Sequence, residues 1–161
     1  MKMFSIVGWS GSGKTLLIAR LIESFQARQR GVIAVKSTHA GYALQPEGKD
    51  TARFLQAGAR EAYLVAGGEL LRMTRLAAPA DLLAELQERL RPDDVVLLEG
   101  LSQPGIPVIE VQGQRAEKGL KTRAADLAAV VGADPEPCPC PRFHPDDIEG
   151  IRAFMEAYHG K

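Results

Sequence analysis

Gly8-Trp9-Ser10-Gly11-Ser12-Gly13-Lys14-Thr15 is the stretch whose reading decides the fold. A glycine is followed by four residues, a second glycine, lysine and threonine. The apolar run Phe4 to Val7 leads into it, and Leu16, Leu17, Ala19, Leu21, Ile22 and Phe25 follow at mixed three- and four-residue spacing. That pattern predicts strand, loop, helix. Glycines let backbone N–H groups from about Gly11 to Thr15 curl round an anion without Cβ interference, and the helix start adds its positive end. In such a loop Lys14 is the point charge for the β- and γ-phosphates of a nucleotide, and the Thr15 hydroxyl enters the coordination shell of Mg²⁺.

Outward from this loop, Gly31 is expected to cap the first helix in a left-handed conformation, and Val32 to Lys36 reads as a second buried strand. Residues 39–48 read as a loop with Gly41 and Pro46 as breakers, and Asp50 to Ala57 as a short helix ending at Gly58. Ala62 to Val65 and Leu70 to Thr74 flank Gly67-Gly68 as a hairpin. Pro79 opens a helix whose apolar stripe is Leu82, Leu83, Leu86 and Leu90, with Pro92 ending it. Val95 to Leu98 has the unbroken apolar character of a central parallel strand, with further strands at Val108 to Val111 and Leu127 to Val131. Four prolines between 135 and 141 make a stiff connection, and Asp146 or Asp147 caps a last helix with Ile148, Ile151, Phe154 and Met155 on one face. The fold expected is α/β: a P-loop NTPase-like, doubly wound, mostly parallel sheet with helices on both faces and a β-hairpin, in a single domain over residues 1–161.

Composition narrows the function. The chain of 161 residues is 45% apolar and 25% charged, enough to bury a core without staples. Its formal net charge of zero argues against a nucleic-acid binder held by bulk charge. That zero is a cancellation: residues 1–80 hold eleven Lys and Arg against five acids, and residues 81–161 hold nine against fifteen. A half rich in positive charge remains for a small anionic ligand. No apolar run approaches the roughly 18 to 20 residues of a membrane span, and the only cysteines, Cys138 and Cys140, are too close for a secreted disulfide framework. A cytoplasmic location is expected.

Other residues join the loop as candidates. Glu99, at the carboxyl end of the Val95 to Leu98 strand, should face the same crevice, binding metal-held water or orienting an attacking one. Lys36 and His39 follow the second strand and suit an anionic or metal-linked group, with Lys49 close behind and Asp50 suited to help hold Mg²⁺. No Asn-Lys-x-Asp guanine-recognition segment is present. Asp134, just past the Leu127 to Val131 strand, is placed to accept hydrogen bonds from guanine N1 and N2.

The glycine loop, the strand end Val35-Lys36-Ser37-Thr38-His39, Gly48-Lys49-Asp50, Ala57-Gly58-Ala59, Leu98-Glu99-Gly100, Ile109-Glu110-Val111 and Asp147-Ile148-Glu149-Gly150 together resemble the molybdopterin-guanine dinucleotide biosynthesis protein B (MobB) family. The resemblance implies a small GTP-binding P-loop protein that assists a molybdopterin guanylyltransferase, with a molybdopterin intermediate as a further ligand and a homodimer as the assembly. It assigns phosphate contacts to the 8–15 loop, a metal or catalytic-water role to Glu99, and places Lys36, Thr38, His39, Lys49 and Asp50 around the nucleotide or pterin-side cleft. Three positions depart from the family pattern: Ala40 follows His39 where a second histidine is usual, and Leu101 and Ser102 stand where an aromatic and a lysine are usual.

The leading reading is therefore a GTP-binding adaptor with weak or partner-dependent hydrolysis. The alternative is a small-molecule kinase using ATP, with Arg115, Lys118, Lys121 and Arg123 as a cationic lid. A third reading is a metal-handling protein built on Cys138, Cys140 and His144.

Overall fold

The structure is a computed structural model that describes residues 2–38, 46–78, 81–113, 119–133, 138 and 140–159, without the side chains of 46–50 and 124. In chain order the elements are β1 (Lys2–Val7), α1 (Lys14–Gln26), β2 (Val32–Lys36), α2 (Pro46–Gln56), β3 (Glu61–Ala66), β4 (Glu69–Thr74), α3 (Asp81–Gln87), β5 (Val95–Glu99), β6 (Val108–Val111), β7 (Leu127–Val131), β8 (Arg142–Phe143) and α4 (Ile148–Ala157). They fall into two compact units, one of Met1–Ser37 with Leu90–Lys161 and one of Thr38–Arg89.

The first unit is a six-stranded sheet in the order β2-β5-β1-β6-β7-β8, parallel throughout. Every residue of β5, β6 and β7 is buried, as their continuous apolar runs require of strands covered on both faces. On one face Phe4, Ile6, Val95, Leu97, Ile109 and Val111 meet Leu17, Ile18, Leu21 and Phe25 of α1 and Ile151 and Met155 of α4. The alternate strand positions Val7, Val108 and Val130, with Leu127, pack against Leu120, Cys138 and Cys140. Of the two aspartates suited to cap the last helix, Asp147 does so, its carboxylate accepting from Gly150 N at 3.0 Å.

Three boundaries differ from expectation. Helix α1 ends at Gln26, and the left-handed residue beyond it is Gln29 (φ 58°) rather than Gly31. Gly31 is needed for space instead: a Cβ there would overlap the carboxylate of buried Asp94, which accepts from Arg91 N at 2.8 Å. Helix α2 starts at Pro46, because proline's fixed φ suits a first helical turn where its missing N–H is not needed. Helix α3 stops at Gln87, so Leu90 lies off its stripe, and the two-residue strand β8 adds to the strands expected from apolar runs.

In the second unit β3 and β4 form the antiparallel hairpin, turning through Gly67 (φ 57°) and Gly68 (φ 83°). Leu55 of α2, Ala62 and Met73 make its small core. Arg72 ties the hairpin to α3, with Nη2 2.7 Å from Glu61 and Nη1 2.8 Å from Glu85. Pro79 lies outside the described residues. Among the described residues no helix is long and apolar enough to cross a membrane.

Candidate functional site

The chain leaves β1 through Gly8 (φ 146°), turns at Gly11 (φ 77°) and enters α1 from Gly13 (φ 95°), which caps the helix without any side-chain hydrogen bond. The first-turn N–H groups are thus left uncapped by side chains at a positive helix end, the arrangement that receives anions. The loop is backed by the end of β6. A Cβ on Gly8 would overlap Val111 O and stand 2.8 Å from Ser12 Oγ, and a Cβ on Gly113 would lie 2.6 Å from Ser12 Cα. Ser12 turns inward: its N–H donates to Trp9 O at 3.1 Å, and its Oγ is buried with no hydrogen-bond partner. Ser10 is exposed on the turn.

Lys14 folds back over the loop, its Nζ donating to Gly8 O at 3.1 Å and Trp9 O at 2.8 Å. Burial is the main influence holding its ammonium below the usual lysine range; Glu99 opposes that shift, while Lys121 and Lys36 reinforce it. The Thr15 hydroxyl donates to Glu99 at 2.9 Å to Oε1 and 3.0 Å to Oε2. Lys36 Nζ lies 2.9 Å from Glu99 Oε1 and 3.4 Å from Thr15 Oγ1. The sheet makes this meeting possible: β5 lies between β2 and β1, so Glu99 is level with Lys36 on one side and Ile6 on the other. Three carboxyl strand ends therefore share one rim beside the glycine loop.

The structure thus gathers Gly8, Trp9, Gly11, Gly13, Lys14, Thr15, Lys36 and Glu99 in one place. His39 and Asp134 lie outside the described residues, and Lys49 and Asp50 belong to α2 in the second unit, with their side chains outside the description.

Sequence reasoning gave Glu110 and Gly113 no part in the site, and placed Lys121 in the cationic lid of the alternative kinase reading. Glu110 is 1% exposed on β6, and its two carboxylate oxygens accept from Lys121 N at 2.6 Å and Thr122 N at 2.7 Å. The available signal was a carboxylate in an otherwise apolar strand, Val-Ile-Glu-Val. Trp9 Nε1 donates to Gly119 O at 3.2 Å, and Lys121 Nζ stands 5.9 Å from the Trp9 ring centroid. A cavity of about 310 Å³ opens here, lined by Gly8, Gly100, Ser102, Lys121, Thr122 and Arg123 among others. Elsewhere, Cys138 and Cys140 carry their Sγ atoms 2.6 Å apart beside an apolar cluster, and His144 faces Asp146 at 3.6 Å. Among the described residues no three His, Cys, Asp or Glu side chains gather as a metal centre, so the metal-handling reading finds no site in them.

Chemically, an uncapped helix start, three lysines and a paired hydroxyl and carboxylate suit a polyphosphate with its divalent cation. The family model described as molybdopterin guanine dinucleotide synthesis protein B matches residues 3–133. A molybdopterin-guanine dinucleotide biosynthesis adapter protein of Haemophilus influenzae is 36% identical over 120 residues, covering 73% of this chain and 67% of that protein. The protein of the same description from Escherichia coli is 27% identical over 160 residues, covering 95% and 90%. Among solved structures, Bacillus subtilis MobB aligns with a TM-score of 0.73 at 24% identity, over 98% of this chain and 100% of that one. A MobB homolog from Bacillus stearothermophilus aligns with a TM-score of 0.66 at 20% identity, with the same coverage. At those identities the two structures speak for the fold.

Proposed function

The chain belongs to the molybdopterin guanine dinucleotide synthesis protein B family, and from this premise we propose that it is a GTP-binding adapter in the making of molybdopterin guanine dinucleotide. The curated relatives are described as adapter proteins of that biosynthesis. The observation that carries the nucleotide part is the uncapped α1 start facing Lys14, Lys36 and the Thr15–Glu99 pair.

Backbone N–H groups of the 8–15 loop bind the phosphates, and Lys14 exchanges its two loop carbonyls for the β- and γ-phosphate oxygens. Thr15 and Glu99 are the groups that would hold Mg²⁺. The fit is supported by the Lys36 ammonium, which stands within 3.4 Å of both, so these oxygens already accommodate a positive charge. When bound, Mg²⁺ supplies neutralisation of the phosphate charge. Glu99 is shared between Thr15 and Lys36, which leaves it poorly disposed as a general base and agrees with weak or partner-dependent hydrolysis.

His39, Lys49 and Asp50 are assigned to the nucleotide or pterin side of the cleft, and Asp134 to the guanine edge. The partners are a guanylyltransferase and a molybdopterin intermediate in the cytoplasm. The assembly is a homodimer joined through the hairpin, whose Tyr63, Val65 and Leu70 are 51%, 73% and 66% exposed. The chain acts as one nucleotide-binding domain, with Thr38–Arg89 an insertion in its sequence. Calorimetric titration with GTP and with ATP, each with and without Mg²⁺, tests the reading. Micromolar GTP binding with weaker ATP binding is expected; binding of neither nucleotide overturns it.

A further inference from the structure

Glu110 has no part in the site as proposed, yet its placement is costly. A carboxylate inside a sheet loses its hydration and is tolerated only when hydrogen bonds replace it. Here both oxygens are used, one by Lys121 N and one by Thr122 N, so the buried acid fixes two consecutive backbone groups of the segment that crosses above it. The same segment is held a second time, by the Trp9 indole on Gly119 O. Between these anchors the Lys121 side chain extends to the Trp9 ring, its Nζ 5.9 Å from the centroid, within the range of a cation–π contact. Trp9 belongs to the phosphate loop, and its carbonyl accepts from Lys14 Nζ. The two ammonium groups are thus brought to the same end of the loop.

We propose that Lys121 is a third phosphate-binding cation, delivered to the outer end of a bound triphosphate by a strap that Glu110 anchors from beneath and Trp9 grips from the side. This rests on the nucleotide reading above and extends it to a residue outside the loop motif. Lys121 lines the same cavity as Gly8 and Gly100, at the ends of β1 and β5. Its charge also acts on Lys14, alongside that of Lys36. Lys14 is thus acted on by two further ammonium groups, Lys121 and Lys36, against the single carboxylate of Glu99, a local positive excess that a triphosphate neutralises better than a diphosphate.

Trp9 is the chain's sole tryptophan, so its fluorescence reports on this corner directly. The experiment titrates the full chain with Mg²⁺-GTP and Mg²⁺-GDP, by fluorescence and by calorimetry, in wild type, Lys121→Ala, Lys121→Arg and Glu110→Gln. Loss of one charge-assisted contact predicts GTP binding about tenfold weaker in Lys121→Ala, with GDP binding changed less than about twofold. Lys121→Arg should recover most of the loss, and Glu110→Gln should reproduce the GTP-selective part of it. If Glu110→Gln fails to fold, the two Lys121 variants decide. Unchanged GTP affinity in Lys121→Ala overturns the proposal, as does an equal loss for both nucleotides, which marks Lys121 as a structural support of the loop. A wild type that binds neither nucleotide sinks the underlying reading instead, and Lys121 with it.

Discussion

Lys36 and Glu99 occupy paired positions on neighbouring parallel strands, and their side chains close an ion pair at 2.9 Å that also takes in the Thr15 hydroxyl. Glu99 is 11% exposed at its side chain and Lys36 62%, so the acid is the fixed member and the lysine the movable one. A cation held at Thr15 and Glu99, as proposed, would therefore displace a long, solvated side chain and leave the strand undisturbed.

Replacing Glu99 tests that arrangement. Glu99→Gln keeps the size and one acceptor but removes the charge that attracts a cation. Triphosphate affinity should fall about tenfold in Mg²⁺ and stay level in excess chelator, a difference of ~1.4 kcal/mol. Calorimetry in the two buffers reads it. An equal loss in both would assign Glu99 a purely structural part.

Lys14 predicts a pH dependence with a definite sign. Burial, the largest influence, holds its pKa below the ordinary 10.5, so folding disfavours the charged form, and its contribution to stability improves as pH rises through the folded value toward 10.5. The proposed triphosphate binding would need the charged form. Affinity should therefore begin to fall at a pH below 10.5, and Lys14→Arg, which stays charged, should lack that fall while binding about tenfold more weakly at neutral pH because a planar fork does not fit the loop. Titrations across the alkaline range check both halves.

Gly113 lies outside the loop motif but supports it. In Gly113→Ala the new methyl would meet Ser12 Cα at 2.6 Å, backbone that has no flexible end to move aside. Destabilisation of about 1–3 kcal/mol is expected, together with weakened nucleotide binding. Chemical denaturation measures the first and calorimetry the second; intact binding in the folded variant would separate the end of β6 from the loop.

In the second unit, Glu61 is held to about 2 by its hydrogen bond from Arg72 and then by Tyr63, and Arg72 lowers Glu85 as well. A depressed carboxylate stabilises the fold above its unfolded value of 4.5 and loses that contribution as pH falls toward 2. Arg72→Met should therefore move acid unfolding of the hairpin to higher pH, with Glu61→Gln flattening the response between 4.5 and 2. Circular dichroism during acid titration follows it. An unchanged acid profile in Arg72→Met would remove the ion pairs from the stability of this unit.

Much of the fold is legible in the sequence because much of it is local. Strand, loop and helix around Gly8 to Thr15 follow from apolar spacing and from glycines that alone tolerate φ values of 77° and 95°, and the hairpin follows from Gly67-Gly68 in the same way. Gly31 misled because the same residue type serves two purposes: a left-handed cap and a close approach. Only the position of Asp94, more than sixty residues away, distinguishes them.

What the sequence determined by itself was the glycine loop between strand and helix, the parallel α/β class, the acid at a strand end and the family. Each is carried by short segments, within which the residues that matter are near one another in the chain. What the tertiary structure alone decided was which distant charges meet. Lys36 reaches Glu99 because β5 lies between β2 and β1, and Lys121 reaches Trp9 because Glu110 holds the backbone beneath it. Strand order and the pairing of a buried acid are contacts across tens of residues, set by packing and desolvation, and no local pattern of residues encodes them.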